Sequence, residues 1–485
     1  MKKGLKLISA IYRLKSQMIS LVELSLSTNY TLIATGIILF SFGLSLYHVT
    51  VMPISYDEAL TYLNFTKKGF LTSISYYPAP NNHVLHSLLT RIFVGFPFSQ
   101  HINLRLPNLI FSILTSIIFY LSFTKLFKQK TALLLLTVFC FLFPVQYYSY
   151  MSRGYMLVLF AFTICFYSTI RLISTPIVES KNHTKYFVSL SLGAVVGFFT
   201  MPSFLYPYFT CVLLIFVMFI TKKNIKGISY LTVSCLLTSL VVLILYTPIF
   251  IVSGIDAIIN NRFVVPISRV QVLEGLLGHF NSTSIFLFSI PLQVFLFVLF
   301  IMCFVARKTK MVIIPMCFFL IVPFILLLHS VIPFPRTWVY LIVPFLYLIG
   351  LTIENFQVDK KLSIKSIGFF SIIIILFSIF NFNKKVNRRE SFSFKVIKIA
   401  DYLVDQKAKH IYVNHPLINI NLTFIFEEKN IDIPITYSRK DIDNSELKMI
   451  KSCCDFAITP YKPNRKSNLK HIKRWSEDTH LSKVK

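Results

Sequence analysis

Acidic residues are scarce in this sequence. Its 485 residues include 49 Lys and Arg but only 20 Asp and Glu, and charged residues of both signs make up 14%. Soluble domains carry about 25% charged residues, so water is not the main solvent of such a chain. No glycine-rich phosphate loop, no Cys/His set at zinc-finger spacing and no internal repeat occurs, which removes the P-loop, zinc-finger and solenoid classes. A cleavable signal is missing too: the first apolar run begins near residue 31 without a small-residue cleavage pattern and reads as a retained span. Of eight cysteines, those at 140, 165, 211, 235, 303 and 317 fall inside apolar runs, where they read as small packing residues. Cys453 and Cys454 are neighbours, a spacing that makes a strained disulfide and says little about redox compartment.

Hydrophobic residues, at 55%, are what the chain has in abundance. Runs of roughly 20 apolar residues match a hydrocarbon core about 30 Å thick. They lie near 31–52, 105–124, 131–149, 154–174, 186–203, 204–221, 228–252, 283–305, 311–332, 337–354 and 364–382. An all-α polytopic membrane protein of about eleven transmembrane helices is predicted.

The formal net charge of +29 would suit nucleic acid, but its placement argues against that partner. The cations cluster in alternate short connections: Lys125, Lys128 and Lys130; Arg171, Lys181 and Lys185; Lys222, Lys223 and Lys226; Arg307, Lys308 and Lys310; Lys360, Lys361 and Lys365. The positive-inside rule then puts these connections and the N-terminus in the cytoplasm. An odd number of spans leaves the C-terminus outside. Leu7, Ile11, Leu14, Met18 and Leu21, spaced by four and three among basic residues, predict a helix on the cytoplasmic membrane surface.

Two outer connections, 53–104 and 253–282, are long enough to carry amphipathic helices such as "NHVLHSLLTRIF" and "SRVQVLEGLLGHF" along the membrane. From residue 384 the composition changes, with 21 Lys/Arg and 12 Asp/Glu. Helix-like "FKVIKIADYLVDQ" and "NSELKMIKS" alternate there with strand-like "HIYVN", "IDIPITY" and "DFAITP". That alternation predicts a small α/β domain over 384–485 with a mostly parallel sheet, beyond a transmembrane module over 1–383.

Outside this tail the only acids are Glu23, Asp57, Glu58, Glu179, Asp256, Glu274, Glu354 and Asp359. Topology leaves Asp57, Glu58, Asp256 and Glu274 on the outer side, so carboxylate chemistry there uses these four or the tail. Ser55-x-x-Glu58 fits a helix capping box. The same helix start would hold Asp57 ionised, the state a general base requires. His83 and His86 stand one turn apart and, with Asp57 and Glu58, make a set able to bind a divalent metal; histidines facing headgroups or substrate are the alternative. Arg105, Arg153 and Arg336 each open a span at its outer end. An arginine in the apolar layer costs at least roughly 2.5 kcal/mol unless paired or snorkelled. Snorkelling accounts for each alone, but three near an acidic pair also suit a phosphate, which guanidinium grips bidentately.

These stretches, namely "YDEALTY", "NNHVLHSLL", "LRLPNLIFSIL", "SRGYML" and "PRTWVYLIVPFLY", resemble the GT-C glycosyltransferases, in particular the branch of protein O-mannosyltransferases and bacterial lipid A-modifying transferases. The resemblance implies transfer of a sugar from a polyprenyl-phosphate donor to a glycan, lipid or protein acceptor outside the membrane, with inversion. It casts Asp57 as general base and Glu58 as its support. Arg336, then Arg153, would hold the phosphate. Tyr56, Asn82, His83, His86 and Arg105 would line the substrate site, with Arg105 open to a structural role instead. A metal requirement stays open, since the second long loop offers only Asp256 and Glu274. A lipid-linked oligosaccharide ligase or polymerase shares these features. A transporter or flippase would show repeat symmetry or midplane ionisable residues, which the sequence lacks.

Overall fold

In a computed structural model the chain is described over residues 29–484, apart from 175–179, 260–265, 308, 357–363, 440–443, 461–468 and 477–478. The surface helix expected over 7–21 lies outside the described residues, as do Glu23, Glu179 and Asp359.

Among the described residues eight helices are long and apolar enough to cross a bilayer: Asn29–Val51, Gln100–Thr124, Tyr155–Ser174, Pro202–Thr221, Ile225–Val252, Lys310–His329, Pro335–Asn355 and Ser366–Arg389. Two bent pairs raise the count to ten if each is one span: Gln129–Phe141 with Phe143–Tyr150, bent by 59°, and Arg269–Phe288 with Leu292–Ala306, bent by 71°. The expected crossing over 186–203 is a helix, Ser180–Thr200, with a polar first half ("SKNHTKY"). By length and composition the described residues thus hold eight to ten such spans, of the about eleven expected.

Both breaks have local causes. Pro144 has no N–H to give Cys140 O, one turn back, and the Gln146 side chain donates to that carbonyl instead at 2.7 Å. At the second break Ser289 takes a left-handed conformation (φ 65°). Asn281 Oδ1 then accepts from Leu292 N at 3.0 Å, closing the start of the next helix. The amphipathic stretch at 268–280 forms the larger part of the helix Arg269–Phe288, which ends inside the expected 283–305 span, before the bend.

Large apolar side chains such as Leu240, Ile244, Phe300 and Phe377 are exposed on the outer helices. A belt of that kind faces lipid in an integral membrane protein. Tyr155–Ser174 and Pro335–Asn355 lie at the centre, with 78% and 72% of their apolar windows buried. Arg153 and Arg336 stand at the starts of these two helices, so the most buried spans carry the arginines.

The C-terminal region forms a five-stranded sheet of order β2-β1-β3-β5-β4: β1 Ile411–Val413, β2 Ile435–Tyr437, β3 Phe456–Thr459, β4 Leu469–Ser476 and β5 Thr479–Val484. The three strands expected from sequence are parallel, and β5 adds antiparallel to both β3 and β4. "LKHIKRWS" gave no strand signal because its charges fall on an edge strand, where they are tolerated. The helix Pro416–Glu428 docks this region on the first long loop. Phe424 packs with Ala59, Tyr62 and Leu104, Glu427 binds Tyr62 Oη and Lys67 Nζ at 2.9 and 2.7 Å, and Glu428 accepts from His101 N at 2.9 Å.

Candidate active site

The acidic pair divides its labour. Ser55 Oγ accepts from Glu58 N, and Glu58 Oε2 accepts from Ser55 N at 2.9 Å, so the capping box forms at the start of the Tyr56–Thr61 helix. Glu58 is buried and also receives Arg105 Nε and Nη2 at 2.9 and 3.0 Å and Ser152 N at 2.7 Å. Burial opposes its charge, but the Arg105 guanidinium and these hydrogen bonds hold its carboxyl below the ordinary 4.5. Arg105 in turn gives Nη1 to Val49 O and Met52 O, and Nη2 to Pro53 O. All five guanidinium N–H groups are thus used inside the protein. Arg105 ties the second span to the chain leaving the first, the structural role that the sequence left open for it.

Asp57, one residue earlier, points the other way. Its Oδ2 accepts from Arg336 Nη1 at 2.9 Å, with both side chains about a quarter exposed (27% and 24%). It lines a cavity of about 230 Å³ together with Tyr56, Tyr147, Tyr148, Arg153, Tyr155, Arg336, Arg389, Glu390 and Ser393. Burial pushes the Asp57 carboxyl up, but the charges of Arg153, Arg336 and Arg389 outweigh it and hold the group below 3.8. The cavity therefore gathers three cations around an ionised carboxylate. Two buried polar atoms on its lining residues, Arg153 Nε and Tyr148 Oη, have no protein partner.

Arg153 is otherwise well occupied. Its Nη1 reaches Thr61 Oγ1, Asn81 O and Asp57 O at 2.8, 3.0 and 3.3 Å. Its Nη2 lies 3.2 Å from His83 Nε2. His83 Nδ1 accepts from Gly154 N at 2.7 Å, which orients the ring against the start of the fourth expected span. Burial, then the Arg153 charge, drives His83 well below 6.5 and His86 down to about 3, so both imidazoles are neutral at physiological pH. Asn82 is a loop fastener: Nδ2 donates to Ser73 O and Tyr76 O, and Oδ1 accepts from Ser87 Oγ at 2.8 Å. None of His83, His86 and Asn82 lines the cavity; His83 is joined to it through Arg153. With Glu58 turned to Arg105 and His83 to Gly154, Asp57, Glu58, His83 and His86 do not assemble a metal shell, and we derive no step through a metal. Asp256 and Glu274 do not line the cavity either.

Arg389 and Glu390 were not anticipated. They follow the last apolar run, where "NRRE" reads as an ordinary basic span end. The helix continues through Arg389, carrying its guanidinium to 4.9 Å from the Tyr147 ring centroid. Glu390 Oε1 accepts from Tyr147 Oη at 2.5 Å, and burial raises its carboxyl above the ordinary 4.5. The legible signal was the tyrosine cluster in "VQYYSYMSRGY", which supplies the cavity's aromatic wall.

No protein-family model matches the sequence, and no curated protein matches it. Solved structures match its fold. ArnT from Cupriavidus metallidurans in the apo state superimposes with a TM-score of 0.61 at 12% identity, covering 94% of this chain and 98% of that one. ArnT from the same organism bound to undecaprenyl phosphate gives 0.59 at 10% identity, with the same coverage. Across 94% of its length, this chain has the fold of ArnT.

Proposed function

We propose that the chain is a membrane glycosyltransferase that moves a sugar from a polyprenyl-phosphate donor to an acceptor hydroxyl on the extracytoplasmic side, with inversion. The observation that carries this reading is the Asp57 carboxylate set among Arg153, Arg336 and Arg389 in one cavity. The polyprenyl phosphate held by a protein of the same fold supports the donor class.

The chemistry follows from that arrangement. The acceptor oxygen attacks the anomeric carbon from the face opposite the phosphate, and its proton passes to Asp57. The bond from the anomeric carbon to the phosphate oxygen breaks, and the leaving phosphate keeps the electron pair. Its added negative charge develops beside fixed guanidinium groups, so no acid is needed at the leaving oxygen. Asp57 is a weak base while the arginines dominate its field. A donor phosphate that engages those arginines cancels part of their charge, and Asp57 becomes more basic once the donor is in place. Arg336, bonded to Asp57 and partly exposed, is the primary phosphate ligand. Arg153 offers Nε, and Arg389 joins from the last span. A cavity of about 230 Å³ suits one phosphosugar better than the larger donor of an oligosaccharide ligase or polymerase. The ionisable groups gather at span ends rather than in paired broken helices, against a transporter.

Residues 1–383 form the transmembrane catalytic module in this reading and 384–485 the outer domain, with the last helix overrunning that boundary to Arg389. Cysteines placed at Lys223 and Lys470, in a background without native cysteines, test the sidedness. Only the second should react with an impermeant reagent in intact cells; labelling of both overturns it.

Arg336→Ala tests the donor role. Charge-assisted hydrogen bonds contribute about 1.5–3 kcal/mol, so kcat/KM for a prenyl-phosphate sugar should fall roughly 10- to 100-fold with unchanged expression. Arg336→Lys should recover part of the loss, because an ammonium keeps the charge but lacks the planar fork. Wild-type donor kinetics in Arg336→Ala would remove Arg336 from the phosphate site.

A further inference from the structure

We propose that the C-terminal domain carries a binding site for one thiophilic metal cation, built from His410, Cys453 and Cys454. One ligand atom from each of these side chains lies within 4.8 Å of the others, the only such group of three among the described residues. The sequence spacing hides the site, since the histidine stands far from the cysteine pair. The sheet brings them together. His410 immediately precedes β1, Cys454 lies one residue short of Asp455 and β3, and the two strands pair in parallel with Ile411 opposite Phe456.

The backbone around the three side chains is locked. Asp455 N donates to His410 O at 3.0 Å. The Asp455 carboxylate accepts from Lys409 N and His410 N, both at 2.9 Å. From the neighbouring strand β2, Thr436 Oγ1 lies 2.9 Å from His410 Nε2 and fixes the ring. A ring held by such a partner is how metal-binding imidazoles are usually oriented. Cys454 is buried, Cys453 and His410 half-buried, so a cation can reach the cluster from one side.

The donor set selects the cation. Two sulfurs and an imidazole suit Zn²⁺ or Cu⁺ and reject Mg²⁺, Ca²⁺ and Mn²⁺, which take oxygen ligands. Zn²⁺ would accept three protein ligands and keep a fourth position for water. Binding a divalent ion replaces two thiol protons, which leave to solvent, while the imidazole binds neutral. The site lies before the start of β1, whereas Leu417, which lines the Asp57 cavity, follows that strand's end. The metal would therefore brace the helix Asn444–Cys453 against the sheet and take no part in transfer.

The experiment uses the detergent-purified full chain, reduced, stripped with a chelator and titrated with Co²⁺ and Zn²⁺. One Co²⁺ per chain is expected, with thiolate-to-metal charge-transfer absorption. Cys453→Ser and Cys454→Ser should each abolish that band at unchanged melting temperature, and His410→Ala should weaken Zn²⁺ binding by at least about tenfold. Because a serine at a buried position can impair folding, the wild-type chain supplies a second readout: Zn²⁺ should protect both thiols from a maleimide, scored on the peptide carrying them. A band that persists in either serine variant, or thiols that alkylate equally fast with and without Zn²⁺, overturns the proposal.

Discussion

Asp57→Asn is expected to fold as the wild type does and to transfer sugar 10²–10⁴-fold more slowly, the usual contribution of a positioned general base. The expectation of normal folding rests on which residue caps the helix. The reciprocal capping bonds belong to Ser55 and Glu58, and the Asp57 side chain takes no part in them. Its carboxylate is held by Arg336, across a pair about a quarter exposed on each side. Pairs of that exposure contribute little to stability, and asparagine keeps an oxygen for the same guanidinium. What asparagine loses is the ability to accept the acceptor hydroxyl's proton. The measurement is single-donor transfer by purified protein together with its melting temperature. A folded variant within about threefold of wild type would leave Asp57 as an electrostatic partner of Arg336 and no more.

Its neighbour should behave in the opposite way. Glu58→Gln or Arg105→Met strands a buried charge whose partner was removed, a change that costs about 3–5 kcal/mol. Thermal denaturation in detergent should show either single variant strongly destabilised. The double variant, with no orphaned charge, should recover part of the loss. Additive losses in the double variant would mean that the two side chains do not act as a pair. The pH dependence has a fixed sign. The folded Glu58 carboxyl titrates below its ordinary 4.5, so its stabilisation is complete above that value and disappears only as pH falls through the lower folded value. Wild-type stability should therefore not drop from this source between neutral pH and about 4.5.

The sequence made the pair visible but not its division. Scarcity of acid picked out Asp57 and Glu58, and the Ser55 spacing identified the cap. The assignment of Glu58 to Arg105 needed the angle at which the second span meets the chain leaving the first, which no local spacing encodes. Asn82, His83 and His86 were expected in the substrate site from the resemblance carried by "NNHVLHSLL" and from the one-turn spacing of the two histidines. Their burial follows from the loop folding back on itself and against Gly154. The spans were legible wherever an apolar run was continuous. The two bends at Pro144 and Ser289 were not, since apolar residues continue through both. Arg389 was missed because a cation after an apolar run is the commonest of sequence patterns; only the extra turns of helix past residue 382 deliver it to the cavity.

The site is assembled from the first loop, the start of the fourth expected span, the start of the tenth and the end of the last. During synthesis and insertion into the bilayer, Asp57 leaves the ribosome early and Arg389 very late. A chain that stops short of Arg389 thus holds the carboxylate, Arg153 and Arg336 without the third cation that shapes the Asp57 field. If the proposed transfer uses all three, it would begin only once the last helix is seated.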